Sequence, residues 1–106
     1  MSLERVIKAL VSLGLSRLDA EVYVYLAKKG PQEVMDLAKA LNYVNKKINA
    51  SLTNLRTKGL VSKDGTIFSA LPFEEALELL IRMEKEQAQE LHESKEELLA
   101  SWKKDA

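Results

Sequence analysis

Apolar side chains recur every three or four positions through the first forty residues, which is the spacing of amphipathic α-helices. The pattern predicts a first helix over residues 3–13 and a second that starts after an N-cap at Ser16 and ends near Lys29. A third helix is predicted to have Pro31 in its first turn and to bury Val34, Leu37, Ala38 and Leu41. Each of these helices has one apolar face, so the pattern predicts a helical domain with a shared core.

The segment that follows the third helix has the pattern of a helix-turn-helix unit. Asn42 tolerates the left-handed backbone of a tight turn, and Asn45 can cap a fourth helix over residues 45–58. The small side chain of Ala38 allows the third and fourth helices to cross closely. The buried stripe predicted for the fourth helix consists of Ile48, Leu52 and Leu55.

A short β-hairpin is predicted directly after the fourth helix. Asp64-Gly65 is a strong turn signal, and the apolar pairs Leu60-Val61 and Ile67-Phe68 flank it. A helix-turn-helix unit followed by a hairpin forms a winged helix. The predicted fold is therefore mostly α with a small β-hairpin wing, a winged helix-turn-helix domain over residues 1–72.

Residues 73–106 are predicted to form a long C-terminal helix that mediates dimerisation. About thirty helical residues span roughly 45 Å, which is too long to lie wholly on so small a core. The apolar stripe thins between Glu84 and Glu97, so either the middle is solvated or two chains share a seam there, and the pairing direction stays open. The candidate dimerisation residues are Leu77, Leu80, Ile81, Ala88, Leu91, Leu98 and Trp102.

Charge is distributed unevenly along a chain that is neutral overall, with 16 basic and 16 acidic residues. Residues 1–72 hold eleven Lys/Arg and six Asp/Glu, whereas residues 73–106 hold five and ten. Residues 37–63 contain six Lys/Arg and no acidic residue at all. A cationic segment of this kind indicates a polyanionic partner, although a merely solvated basic helix face would have the same composition.

The outward positions of the fourth helix carry small, polar and cationic side chains, which suit the major groove of DNA. Asn can pair with adenine, Lys or Arg can pair with guanine, and the methyl groups of Ala and Thr can contact thymine. Lysines flanking this helix would contact phosphates. The candidate DNA-contacting residues are Lys39, Asn45, Lys46, Lys47, Asn49, Ala50, Thr53, Arg56, Lys58, Lys63 and Thr66.

Other function classes find little support in the sequence. The chain has no cysteine, and its single histidine, His92, lies in a polar stretch without an orienting partner. No metal-ligand spacing and no phosphate-binding loop occurs, so neither an enzymatic activity nor a cofactor is expected. No apolar run approaches the roughly 18 residues of a membrane span, which predicts a soluble cytoplasmic protein.

Three motifs resemble the TrmB-like archaeal transcription regulators, within the wider MarR-like winged helices. These are LGLSRLDAEVYVYLAKKGP in the second helix, LAKALNYVNKKINASLTNLRTKGLV in the helix-turn-helix unit, and ALPFEEALELLI at the exit from the wing. The resemblance covers about residues 10–82. It implies a dimeric, cytoplasmic DNA-binding regulator with a recognition helix over 45–58, a wing tip at Lys63–Thr66 and a pairing helix over 73–104.

The sequence departs from the family pattern at three points. Asn42 stands where glycine is common, and Asn49 and Ser51 stand where larger or apolar residues are usual, so groove contacts would differ. The sugar-binding domain of the longer members is absent, and no sugar effector is expected. The leading hypothesis is thus a homodimeric, sequence-specific regulator of transcription that binds double-stranded DNA, and the alternative is a winged-helix adaptor that binds proteins.

Overall fold

The computed structural model describes residues 3–104, and its architecture confirms the predicted winged helix. The helices and strands occur in the order α1 (Leu3–Ser12), α2 (Arg17–Lys29), α3 (Val34–Leu41), α4 (Asn45–Thr57), β1 (Val61–Asp64), β2 (Ile67–Ala70), α5 (Phe73–Glu93) and α6 (Lys95–Lys104).

The core lies where α1, α2, α3, α4 and the beginning of α5 meet, and the two strands close one side of it. Tyr23 of α2 is its largest fully buried side chain. The Tyr23 hydroxyl donates a hydrogen bond to the backbone oxygen of Leu71, in the segment between β2 and α5. This bond and the burial of Ala76 and Leu80 fix the start of α5 to the domain.

The entry into α3 differs from the prediction. Pro31 lies outside the helix, which begins at Val34 after an N-cap at Glu33. Gln32 is held in extended backbone because its N–H donates to the oxygen of Phe68 at 3.0 Å and its oxygen accepts from the Phe68 N–H at 2.8 Å. The segment therefore forms an isolated β-bridge with β2 of the wing, and this pairing delays the start of the helix.

The turn between α3 and α4 confirms the left-handed conformation predicted for Asn42 but not the capping role predicted for Asn45. Asn42 adopts the left-handed conformation, with φ 60° and ψ 47°, and its N–H bonds to the oxygen of Ala38. The N-cap of α4 is Val44, so the predicted capping by Asn45 is wrong and Asn45 is instead the first helical residue.

The hairpin pairs Val61 with Ala70 and Asp64 with Ile67. Its two central residues are consequently Gly65 and Thr66, one position later than an Asp-Gly turn would have them. Gly65 has φ of +64°, as the first central residue of a type II′ turn requires.

The predicted long C-terminal helix is interrupted. Ser94, with φ −88° and ψ 1°, separates α5 from α6. The Ser94 N–H still bonds to the Glu90 oxygen and the Leu98 N–H to the Ser94 oxygen, both at 3.0 Å. The chain thus continues in the same helical sense with a local irregularity rather than a reversal.

Candidate nucleic-acid interface

Helix α4 presents one polar surface, which we term the recognition face. The opposite side of α4 packs into the core through Ile48, Leu52 and Leu55, each at most 1% exposed. Because α4 is 13 residues long and buried along one side, its remaining side chains share a continuous exposed surface. The recognition face consists of Asn45, Lys46, Lys47, Asn49, Ala50, Thr53, Asn54, Arg56 and Thr57.

Six cations lie on or next to the recognition face. Lys39 on α3 and Lys63 on β1 are exposed, while Lys58, at the end of α4, is half-buried. Within residues 3–104, none of Lys39, Lys46, Lys47, Arg56, Lys58 and Lys63 forms a salt bridge. Their charges are therefore not offset by a neighbouring carboxylate and remain available to phosphates.

The two candidates on the wing differ in their surroundings. The Lys63 ammonium lies 5.5 Å from the centre of the Phe68 ring, an arrangement that holds the lysine stem against the strand. Thr66 donates a hydrogen bond of 2.9 Å to the carboxylate of Glu33. That negative charge beside Thr66 opposes phosphate binding, so Lys63 is the better placed of the two.

A buried polar contact anchors the recognition helix to α2. The Ser51 hydroxyl donates to the Asp19 carboxylate at 2.5 Å, and the two residues are 2% and 4% exposed. Asp19 also occupies the first turn of α2, where its N–H donates to the Ser16 hydroxyl at 3.1 Å. Ser51 thus faces inward, and its departure from the family pattern changes the packing of α4 rather than a groove contact.

An exposed polar network connects α1, α2 and the turn before α4. Arg17 donates to both carboxylate oxygens of Glu4 at 2.6 Å, which lowers the pKa of Glu4 and raises that of Arg17. Tyr43 donates to Glu21 at 3.1 Å, and this hydrogen bond raises the pKa of Tyr43. These contacts orient the turn from which the recognition helix starts.

Two exposed apolar residues at the starts of α3 and α4 were not predicted from the sequence. Val44, directly before α4, is 64% exposed, and Met35 in the first turn of α3 is 60% exposed. Neither residue belongs to the apolar stripe of a helix. This mismatch with the helical spacing could have identified them as exposed from the sequence. A valine beside the start of a recognition helix can contact sugar or thymine methyl groups.

The candidate dimerisation residues separate into two groups. Leu80 is buried in the core of its own chain at 2% exposed, and Leu77 is half-buried. The others are exposed, with Leu91 at 62% and Trp102 at 78%. Helix α6 buries no residue against the domain, so its apolar side chains have no cover within the described chain.

Neither a metal-ligand cluster nor a membrane-spanning helix occurs between residues 3 and 104. No group of three or more histidine or carboxylate side chains there could hold a metal ion. Within the same range, no helix has the length and apolar character needed to cross a membrane.

Comparison with known proteins identifies the family to which this winged helix belongs. A model described as the sugar-specific transcriptional regulator TrmB matches residues 10–74. This match spans more than half of the chain, which therefore belongs to the TrmB family of transcriptional regulators.

Individual proteins are also similar to this chain in sequence or in fold. An uncharacterised protein of Methanocaldococcus jannaschii is 29% identical over 94 residues, which cover 80% of this chain and 71% of that protein. A possible transcriptional regulator from Methanosarcina mazei has a similar structure, with a TM-score of 0.63, 18% identity and coverage of 92% and 88%. The disulfide-formed AbfR structure has a TM-score of 0.55, 17% identity and coverage of 92% and 85%. At these identities the two structures support the fold alone.

Proposed function

We propose that this protein is a sequence-specific transcriptional regulator that binds double-stranded DNA as a homodimer. The main support for the proposal is the recognition face, where cations without a salt bridge surround small polar side chains. The buried side of the same helix is held to α2 by the Ser51–Asp19 hydrogen bond. Each subunit would insert α4 into a major groove, and two half-sites would lie about 34 Å apart, one turn of DNA.

The residues of the recognition face are proposed to have two roles, the reading of base edges and the binding of phosphates. Asn49, Ala50 and Thr53 are exposed in the middle of α4 and are proposed to read base edges. The Thr53 hydroxyl donates a hydrogen bond to the backbone oxygen of Asn49 at 3.0 Å, which restricts the rotation of this side chain. The flanking cations, among them Lys46, Lys47 and Arg56, would contact phosphates or guanine, and promoter occlusion is the simplest mechanism of regulation.

Selection from random duplex DNA tests the proposal. Sequencing after selection should yield a two-fold symmetric motif, and Lys46→Glu/Lys47→Glu should abolish the enrichment. The matched control is Lys103→Glu/Lys104→Glu in α6, which makes the same change of charge away from the recognition face. Binding that is lost equally in both variants, or enrichment that persists in the first, would contradict a role for α4.

The salt dependence of binding separates DNA recognition from the alternative of a protein adaptor. Each neutralised phosphate releases counterions, so the affinity for DNA should fall by a factor of 10³ or more between 50 and 200 mM salt if about six contacts form. An apolar protein contact would change little over that range. We place this function in the cytoplasm, and a titration of the chain with sugars would test the prediction that residues 1–106 respond to none.

A further inference from the structure

The exposed side of α5 and α6 has a pattern that is complementary to itself when read in the reverse direction. Apolar positions correspond to apolar positions, and the acidic position corresponds to a basic one. Positions along this side alternate in steps of four and three, the heptad spacing of a coiled coil. We define the seam as Leu77, Ile81, Glu84, Ala88, Leu91, Lys95, Leu98 and Trp102. Counted inward from its two ends, Leu77 corresponds to Trp102, Ile81 to Leu98, Glu84 to Lys95, and Ala88 to Leu91.

From this match we infer that two copies of the chain pair their seams antiparallel. In an antiparallel pair each of these residues faces its counterpart on the second copy. Glu84 then meets Lys95 of the second copy at two symmetric places, and all other positions join apolar side chains. A parallel pair would instead place Glu84 against Glu84 and Lys95 against Lys95, which are like charges inside the seam.

Most of the seam is exposed to solvent, with Leu77 half-buried at one end and the Glu84 carboxylate beside Gly14 of the same chain. Ile81 and Leu98 are each 54% exposed, and Glu84, Ala88 and Lys95 are exposed as well. The interruption at Ser94 does not separate the two halves of the seam, because Leu91 and Leu98 line the same cleft of about 620 Å³ across it. The seam from Leu77 to Trp102 is about 38 Å long.

A receiving groove lies at the beginning of the seam. An apolar groove of about 990 Å³ runs between α1, the end of α2 and the start of α5, and Leu3, Phe73 and Leu77 are among the residues that line it. Leu3 and Phe73 are 46% and 39% exposed there. Antiparallel pairing brings Trp102 of the second copy, opposite Leu77, to the mouth of this groove. The same side chain in a parallel pair would lie at the far end of the rod, away from both grooves.

Cysteine cross-linking tests the direction of pairing directly, because the chain contains no cysteine. Ile81→Cys and Leu98→Cys would be oxidised separately, together in one chain, and as a mixture of the two single variants. The inference expects interchain disulfides in the double variant and in the mixture, and none in either single variant. Glu86→Cys, on the side of α5 opposite the seam, is the control that should not cross-link.

Cross-linking of either single variant with itself would establish parallel pairing and overturn the inference. The absence of cross-links from the folded double variant and the mixture would also overturn it.

Exchange of the seam charges gives a second, independent measurement. Glu84→Lys alone and Lys95→Glu alone should each weaken dimerisation on the order of tenfold, because each places like charges opposite one another twice in the dimer. The double exchange should restore the dimer, which sedimentation equilibrium would measure. A double exchange as weak as the single ones would contradict the antiparallel register.

This inference rests on the proposed homodimer but not on DNA binding. Both experiments are performed without DNA, so a failed seam would leave DNA recognition by α4 untouched. A failed selection experiment, in turn, would leave the cross-linking result standing.

Discussion

The hydrogen bond between Ser51 and Asp19 helps to hold α4 in position from its buried side. The two side chains form a short hydrogen bond in a buried site that joins α2 to α4. Burial of the Asp19 carboxylate costs desolvation free energy, which the hydrogen bond from Ser51 offsets. Loss of this bond would therefore destabilise the fold by more than the net strength of one hydrogen bond. Asn49 and Thr53 on the opposite side of α4 are oriented by this anchoring.

Replacement of Ser51 by alanine is expected to lower the free energy of unfolding by about 1–3 kcal/mol, because Asp19 would stay buried without its donor. For a domain of this size the melting temperature should fall by roughly 5–15 °C. Ser62→Ala, at an exposed position of β1, is the control and should leave the melting temperature nearly unchanged. Equal melting temperatures for the two variants would show that the Ser51–Asp19 bond contributes nothing.

The buried Tyr23 predicts a loss of stability at alkaline pH. Burial raises the pKa of Tyr23 from 10.0 to about 12. In this interval the unfolded chain has released the phenolic proton while the folded chain still holds it, so stability should be complete below pH 10 and decline as the pH rises towards 12. Denaturant unfolding at several pH values would measure this decline. Tyr23→Phe should remove that part of the pH dependence, and a wild-type slope in Tyr23→Phe would contradict the assignment.

At the scale of elements, the turn between α3 and α4 sets the geometry of the helix-turn-helix unit. Asn42 supplies the left-handed residue at the end of α3, and the short pairing of Gln32 with Phe68 sets where α3 begins. The angle between the third and fourth helices therefore depends on a single residue at one end and on the wing at the other. The wing acts as a structural part of the domain in addition to its proposed contact with DNA.

A pair of substitutions at Asn42 tests the backbone requirement. Asn42→Gly should retain stability, since glycine adopts φ of +60° freely, whereas Asn42→Ala should cost about 1 kcal/mol because its Cβ disfavours that region. Chemical denaturation of both variants provides the comparison. If alanine were tolerated as well as glycine, the turn would have to relax to a conformation other than the one observed.

At the scale of the whole molecule, the two halves of the chain are proposed to have separate tasks. The basic half folds around one core, to which the acidic half adds Ala76 and Leu80 at the start of α5. The rest of α5 and α6 extends from this core with large apolar side chains exposed. A monomer would leave Trp102 78% exposed at the end of the rod. In the proposed homodimer, shared burial between two chains would remove that apolar area from water.

The single tryptophan reports on this association. Dilution of the protein should shift the Trp102 fluorescence emission to longer wavelength, because dissociation would return the indole to water. Trp102→Ala should raise the dissociation constant of the dimer by a factor of ten or more, since a buried aromatic residue contributes several kcal/mol. An emission maximum that stays constant over a thousandfold dilution, with dissociation shown by light scattering, would contradict burial of Trp102 between the chains.

The winged-helix fold, the order of its elements and the buried stripe of α4 could be predicted from the sequence, because periodic apolar positions, Gly65 and Asn42 act locally. The sequence also contained the candidate recognition residues, which simple helix geometry turns outward. The folded chain was needed to show that Gln32 pairs with Phe68 and delays α3, that Ser51 bonds to Asp19, and that Leu80 belongs to the core. These outcomes depend on contacts between residues more than thirty positions apart, or on which side of a helix the rest of the chain covers, and neither is visible in local spacing.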